Sequence, residues 1–304
     1  MIAAGLGKYL MSTGKRVGFL KPIVGNEDTG DAVFMSQILG LSERVDFICP
    51  PAATAGEVQQ ACTLVSVEKD VVIIESRLAE HIDDNYEVAR RLQARVIIVE
   101  SYSERVAPDV AGYRGFGENL LGVIFNKVPV SRVARVEEEA AGKLREAGVN
   151  VLGTIPEDRL LATLSIGEIA GCVRGKILNN EEKSADLVPN LMLGALVVDS
   201  GLEYFGRKAD KAAIIRSDRP DMQLAALETK TRCLLVSGVK GELFSNVRQK
   251  AESRGIPIIV TENDSNAVIS SLGNCLTETR FNQENKLPHL AEVLRKRVDL
   301  KALD

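Results

Sequence analysis

Short apolar runs separated by polar, helix-length stretches set the rhythm of the first half of the chain. Residues 17–20, 71–75, 96–100, 120–126 and 149–155 are β-branched and nearly continuous in hydrophobicity, the pattern of parallel strands buried on both faces. Between them, helical spacing predicts helices over 31–39, 57–65, 86–92 and 131–147. The last has a serine at its start, Glu137 to Glu139 early, Lys143 and Arg145 late, and Gly148 at its stop, an order that suits the helix dipole. Strand–helix alternation of this kind predicts an α/β domain with a doubly wound, mostly parallel sheet over residues 1–157.

Near Pro156-Glu-Asp-Arg159 the pattern changes. Ser165-Ile-Gly-Glu168 reads as a capping box that opens a short helix. Strands are expected at 176–178, 191–197, 212–216, 233–237 and 256–260, and helices at 221–228, 243–254 and 267–272. A second, smaller α/β domain thus spans about 160–275. Residues 276–304 read as a polar linker and a terminal helix over 287–298.

The first ten residues read as a helix already under way, running into Ser12-Thr-Gly14 and then the strand that ends in Lys21-Pro22. In nucleotide-binding α/β folds a strand and a glycine-rich phosphate loop come before such a helix. The expectation is therefore a start placed too late or a truncated sequence, with Met1 an internal residue of the first helix, and genuine loss of the loop as the alternative. Without that strand, its neighbours would carry unpaired backbone groups.

Composition narrows the function classes. The 304 residues are 45% hydrophobic and 26% charged, so the chain can bury two ordinary cores. No run reaches the roughly 18 apolar residues of a membrane span, and no secretory leader is visible, which points to a cytoplasmic protein without a membrane role. The net charge of −4 and the 4% aromatic content argue against a nucleic-acid surface. The five cysteines, Cys49, Cys62, Cys172, Cys233 and Cys275, are scattered, and reduced, buried thiols are expected. The two histidines, His81 and His289, lie far apart, which disfavours a histidine-based metal site or triad.

Candidate chemistry sits at strand ends, where open α/β sheets place ligands. Lys21 can reach a phosphate as a point charge. Asp31 heads the next helix, where a simple helix-start acid is the alternative reading. Glu75 ends an apolar strand as a Mg²⁺-binding carboxylate would, but Glu100 ends another strand in the same form. Asn126 offers an amide to an adenine edge, or is a turn residue after a strand.

The order strand-Lys-Pro, Asp, strand-Glu and strand-Asn resembles dethiobiotin synthetase and its P-loop relatives. More closely, the chain resembles the N-terminal, dethiobiotin-synthetase-like region of the long phosphotransacetylases. The segments that carry the likeness include Gly14-Lys-Arg-Val-Gly-Phe-Leu-Lys-Pro22, Asn119-Leu-Leu-Gly-Val-Ile-Phe-Asn-Lys127 and Val151-Leu-Gly-Thr-Ile-Pro-Glu-Asp-Arg-Leu160. The second half resembles the DRTGG domain found beside that region, through Ser217-Asp-Arg-Pro-Asp221, Leu234-Leu-Val-Ser-Gly-Val-Lys-Gly241 and Gly255-Ile-Pro-Ile-Ile-Val260. The terminal helix resembles the one that closes that module.

The resemblance implies a P-loop-type fold in which Lys21 contacts phosphate and substrate, Asp31 and Glu75 hold Mg²⁺, and Asn126 reads the adenine of ATP. The G-x-x-x-x-G-K-[ST] loop is missing, as is the acetyl-transferring domain, so phosphate acetyltransferase activity is not expected. The leading expectation is a non-catalytic regulatory, ligand-sensing or assembly module that takes a nucleotide or metabolite and forms a homo-oligomer through its DRTGG domain. The alternative is an ATP-dependent, carboxylate-activating synthetase. In the second domain, Ser217, Asp218, Arg219 and Asp221 on one loop, and Ser237, Gly238 and Gly241 on another, are candidates for a ligand or a subunit contact.

Overall fold

The computed structural model describes residues 1–22, 29–51, 54–76, 82–103, 109–194, 201–278 and 281–303. The chain forms two compact units, Met1–Asp158 with Asn282–Asp304, and Arg159–Phe281. Both are mixed α/β with parallel sheets. Of the expected sequence features, His81 and the end of the strand expected over 191–197, residues 195–197, lie outside the described residues.

In the first unit the order is α1 (Ile2–Ser12), β1 (Val17–Leu20), α2 (Gly30–Leu39), α3 (Val45–Ile48), α4 (Ala55–Val65), β2 (Val71–Ile74), α5 (Ile82–Leu92), β3 (Val96–Ser101), α6 (Val110–Arg114), β4 (Leu120–Val128), α7 (Val133–Arg135), α8 (Ala141–Glu146) and β5 (Val151–Pro156). Among the described residues the strands form two parallel ladders, β1–β2 and β3–β4–β5, rather than one continuous sheet. The break falls between β2 and β3. All four residues of β1 are buried, whereas all four of β2 are only half-buried despite being Val or Ile.

The helix expected over 131–147 is not uniform. A 3₁₀ turn and α7 lead into a π-helical turn over Val136–Ala140 before α8. The wider turn lets Val136, Ala141 and Leu144 face one cluster with Val123, Phe125 and Val128 of β4, a spacing that a regular α-helix would splay. Helix α4 starts two residues earlier than its hydrophobic pattern suggests. Thr54 and Glu57 close a capping box around its first turn.

In the second unit β6 (Leu164–Ser165) pairs antiparallel with β8 (Leu187–Val188). Helix α9 (Ile166–Cys172) follows β6, and the Ser165 and Glu168 capping box expected from the sequence is formed. A five-stranded sheet follows, built from β7 (Lys176–Ile177), β9 (Asn190–Leu193), β10 (Lys211–Arg216), β11 (Thr231–Ser237) and β12 (Ile258–Val260), in the order β7-β12-β11-β10-β9. Strands β9 to β12 are parallel and β7 is an antiparallel edge. Met192, Ala213, Ile215, Leu234, Val236 and Ile258 face one core with α10 (Gly201–Gly206), α11 (Pro220–Leu227) and α12 (Ser245–Ser253). Ala212, Ile214, Cys233, Leu235 and Ile259 face the other with α9 and α13 (Ser265–Glu278). The period-2 alternation along β10 and β11 is what builds both cores from the same strands.

The last helix is α14 (Leu287–Arg297). It belongs to the first unit. An added Cβ on Gly5 of α1 would lie 2.2 Å from Leu294 Cδ1, so the two helices meet where α1 has no side chain. Past α14, the Asp299 amide donates to the Leu152 carbonyl (2.7 Å), and Val298 bridges to Gly153 of β5.

Candidate functional site

Parallel pairing of β1 and β2 in the register Leu20 to Ile74 brings the residues just past both strands side by side. These are Lys21 and Glu75. The Glu75 amide donates to the Leu20 carbonyl (2.9 Å), and the Lys21 amide to the Ile48 carbonyl (2.7 Å), so both backbones are fixed. Asp31 comes from the first turn of α2. Lys21 Nζ lies 2.6 Å from Asp31 Oδ2 and 3.7 Å from Glu75 Oε1, with the lysine side chain only 11% exposed. Burial works against the ammonium, but the Asp31 hydrogen bond and the charges of Asp31 and Glu75 outweigh it and raise the Lys21 pKa.

The amino end of α1 faces the same place. Burial lowers the pKa of the Met1 amino group, which also feels the charges of Glu75, Asp31, Lys127 and Lys21.

The structure separates the two strand-end acids that the sequence left equivalent. Glu100 Oε2 accepts a 2.5 Å hydrogen bond from Tyr113 Oη, whereas Glu75 faces Lys21. The same contact, after burial, raises the Tyr113 pKa. Asn126 lies inside β4, two residues before its last residue Val128 rather than at the strand end expected, and is buried. Its Oδ1 accepts from the Lys127 amide (3.0 Å), and its carbonyl from the Tyr102 amide (3.1 Å). Those bonds accompany a bulge in β4, between Phe125 and Val128, at which Lys127 takes φ +55°. No contact joins Asn126 to Lys21, Asp31 or Glu75 among the described residues. Lys127 is the charged group that sequence reasoning passed over, and its place directly after Asn126 was the available signal. Among the described residues there is no cluster of three or more His, Cys, Asp or Glu side chains arranged to hold a metal ion.

In the second unit the two candidate loops meet. The Ser217 amide donates to the Ser237 carbonyl (2.9 Å), and Ser217 Oγ to the Gly238 carbonyl (2.8 Å). Ser237 Oγ lies 2.9 Å from Ser265 Oγ at the start of α13. Gly238 takes φ +68° while its amide donates to the Asn263 carbonyl. Arg216 pairs with Asp218, and Arg219 Nη2 lies 2.8 Å from Asp221 Oδ2. The arginine hydrogen bonds lower the pKa of both aspartates. A Cβ on Gly241 would meet nothing within 4 Å. Beneath the first loop, fully buried Gln223 donates to the Arg216 carbonyl (2.7 Å), leaving its Oε1 without a hydrogen-bond partner.

Strands β9 to β12 add to the sheet in one direction, so no reversal of strand order opens a crevice between them. The first loop therefore offers a hydrogen-bonded edge on which Asp218, Arg219 and Asp221 are already paired. Cys172 and Cys275 are joined in a disulfide, against the expectation of reduced thiols throughout. The fold brings together two cysteines 103 residues apart, which spacing alone does not reveal.

Residues 168–275 match the sequence profile of the DRTGG domain. One similar solved structure comprises the CBS and DRTGG domains of the regulatory region of Clostridium perfringens pyrophosphatase, in complex with the activator diadenosine tetraphosphate. It is 24% identical over 37% of this chain and 48% of that chain, with a TM-score of 0.32. This chain thus spans about half the length of that one, and at that TM-score the likeness carries no argument. No helix among the described residues is long and apolar enough to cross a membrane.

Proposed function

We propose that the chain is a regulatory, ligand-sensing module. Its first unit takes a phosphate-bearing nucleotide or metabolite at Lys21, and its DRTGG domain relays or assembles. The carrying observation is the Lys21 ammonium closed on two carboxylates at a parallel-strand edge. A phosphate competes for that ammonium by charge. Once Lys21 turns to phosphate, Asp31 and Glu75 are left as adjacent hard-oxygen anions, the donor type that suits Mg²⁺. The donor chemistry therefore fits a metal–nucleotide pair, with phosphate and cation binding linked through one lysine. Bound Mg²⁺ supplies charge neutralisation, and Asn126 remains the group proposed to meet an adenine.

The DRTGG match supports the regulatory half of this reading. Kinship with the N-terminal part of long phosphotransacetylases, a P-loop-type first unit and self-association through loops 217–221 and 237–241 belong to the same proposal. The convergence of Lys21, Asp31 and Glu75 also favours a second reading, a dethiobiotin-synthetase-like enzyme that activates a carboxylate by phosphoryl transfer.

Equilibrium binding of ATP with and without Mg²⁺, alongside a phosphate-release assay, tests both. The sensor reading expects Mg²⁺ to strengthen binding, Asp31→Ala or Glu75→Ala to remove that gain, and no turnover. Mg²⁺-independent binding that survives both substitutions would overturn the site. Phosphate release dependent on a carboxylate substrate would replace the sensor with the synthetase.

A further inference from the structure

We propose that Cys172 and Cys275 form a redox-switched staple at the root of the second unit. They stand on α9 and α13, the first and last α-helices described in that unit, with Cα atoms 6.2 Å apart. The segment between them carries β7 and all four parallel strands, so one bond brackets the whole sheet.

Both cysteines are half-buried at the rim of an apolar cluster, within reach of a small thiol. The cysteines outside the disulfide differ. Cys49 and Cys233 are buried, and burial pushes the Cys233 thiol up to about 12, leaving it inert. Cys62 is half-buried, but burial raises its pKa too, and it forms no disulfide.

Ile169 and Val173 pack with Val268 and Leu272 in that same cluster, so α9 and α13 are held together without the bond. The covalent link is therefore an adjustable addition to an interface already made. It also bears on the candidate loops, because α13 begins at Ser265, whose hydroxyl meets Ser237.

The exchange runs with a small-molecule disulfide as oxidant. One protein thiolate attacks a sulfur of that disulfide, releasing one small thiol and leaving a mixed disulfide on the protein. The second protein thiolate then displaces the other small thiol. Two electrons pass from the protein dithiol to the oxidant, and the two thiol protons end on the two released thiols. Excess small thiol reverses both steps.

The test equilibrates the full chain at a series of reduced-to-oxidised glutathione ratios. Alkylation and mass measurement give the oxidised fraction, and trypsin then reports cleavage within Arg159–Phe281. The oxidised fraction should follow the ratio, and the oxidised form should be cleaved about tenfold or more slowly than the reduced form. Cys172→Ser and Cys275→Ser should cleave at the reduced rate whatever the ratio. A pair that stays reduced at every ratio would overturn the proposal, as would equal cleavage of oxidised and reduced wild type, a comparison that needs no variant.

Discussion

Gly153→Ala tests how the chain's end is held in the first unit. Gly153 lies in β5, where the segment after α14 returns, and a Cβ there would sit 2.0 Å from the Arg297 carbonyl oxygen and 2.9 Å from Val298 Cα. Both are backbone atoms, so no side-chain rotation relieves the clash. The returning segment must retreat by about 1.5 Å to reach ordinary contact. That shift breaks the Gly153 to Val298 bridge and stretches the Asp299 to Leu152 hydrogen bond. Overpacking of this kind costs about 1–3 kcal/mol, and a lost hydrogen bond adds about 1. The expected destabilisation is about 2–4 kcal/mol out of a typical 5–15. Because Leu290 and Leu294 pack beside Gly5, loosening α14 should also expose α1. Urea unfolding gives the total, and hydrogen exchange at α14 and α1 locates it. Gly273→Ala in α13 is the matched control. Its Cβ would meet nothing within 4 Å, so it should stabilise by about 0.4–1 kcal/mol. If Gly153→Ala unfolds at the wild-type urea midpoint, the packing of the return on β5 is wrong.

Ser165→Ala removes the oxygen that accepts from the Glu168 amide and should cost about 1 kcal/mol in thermal or urea unfolding, with the loss confined to the second unit. An unchanged midpoint would mean that α9 does not depend on its cap. Hydrogen bonds from the Arg16 side chain and amide hold Asp70 at a pKa of about 2, below the usual carboxylate value. The contribution of this group is therefore fully present above about pH 4 and lost as pH falls through about 2. Asp70→Asn should flatten the acid limb of stability against pH in that window, and an unaltered limb would contradict the pairing.

Much of the fold was legible because its signals are local. The strands at 17–20 and 71–74 are short apolar runs, the second entirely β-branched, and the α9 start is written in Ser165 and Glu168. Boundaries failed where a charge or a polar cap belongs to the element. The strand expected from Ala212 begins at Lys211, which is fully buried because Thr229 Oγ1 and the Lys230 carbonyl accept from its ammonium. Helix α3, four residues long, is too short for periodicity to show. The return of α14 and the Cys172–Cys275 bond are long-range facts with no local signature.

At the candidate site, the residue types at strand ends were readable, but their convergence was not. Lys21, Asp31 and Glu75 come from three separate elements, and only the register of β1 on β2 sets two of them side by side. Glu75 and Glu100 end equally apolar strands, so it took the Tyr113 contact to tell them apart. The local ion pairs at Arg216 and Arg219 lie two residues from their partners. They were hidden because loop conformation, not spacing, decides whether such neighbours meet.

The central claim is that Lys21 is the ligand's anchor. Calorimetric titration of the full chain with ATP in the presence of Mg²⁺, beside Lys21→Ala, tests it most directly. The account predicts saturable binding by the wild type, weakened about tenfold or more in the variant, as expected for loss of a charge-assisted phosphate contact. Binding of equal strength in the two proteins, or none by the wild type, would contradict it.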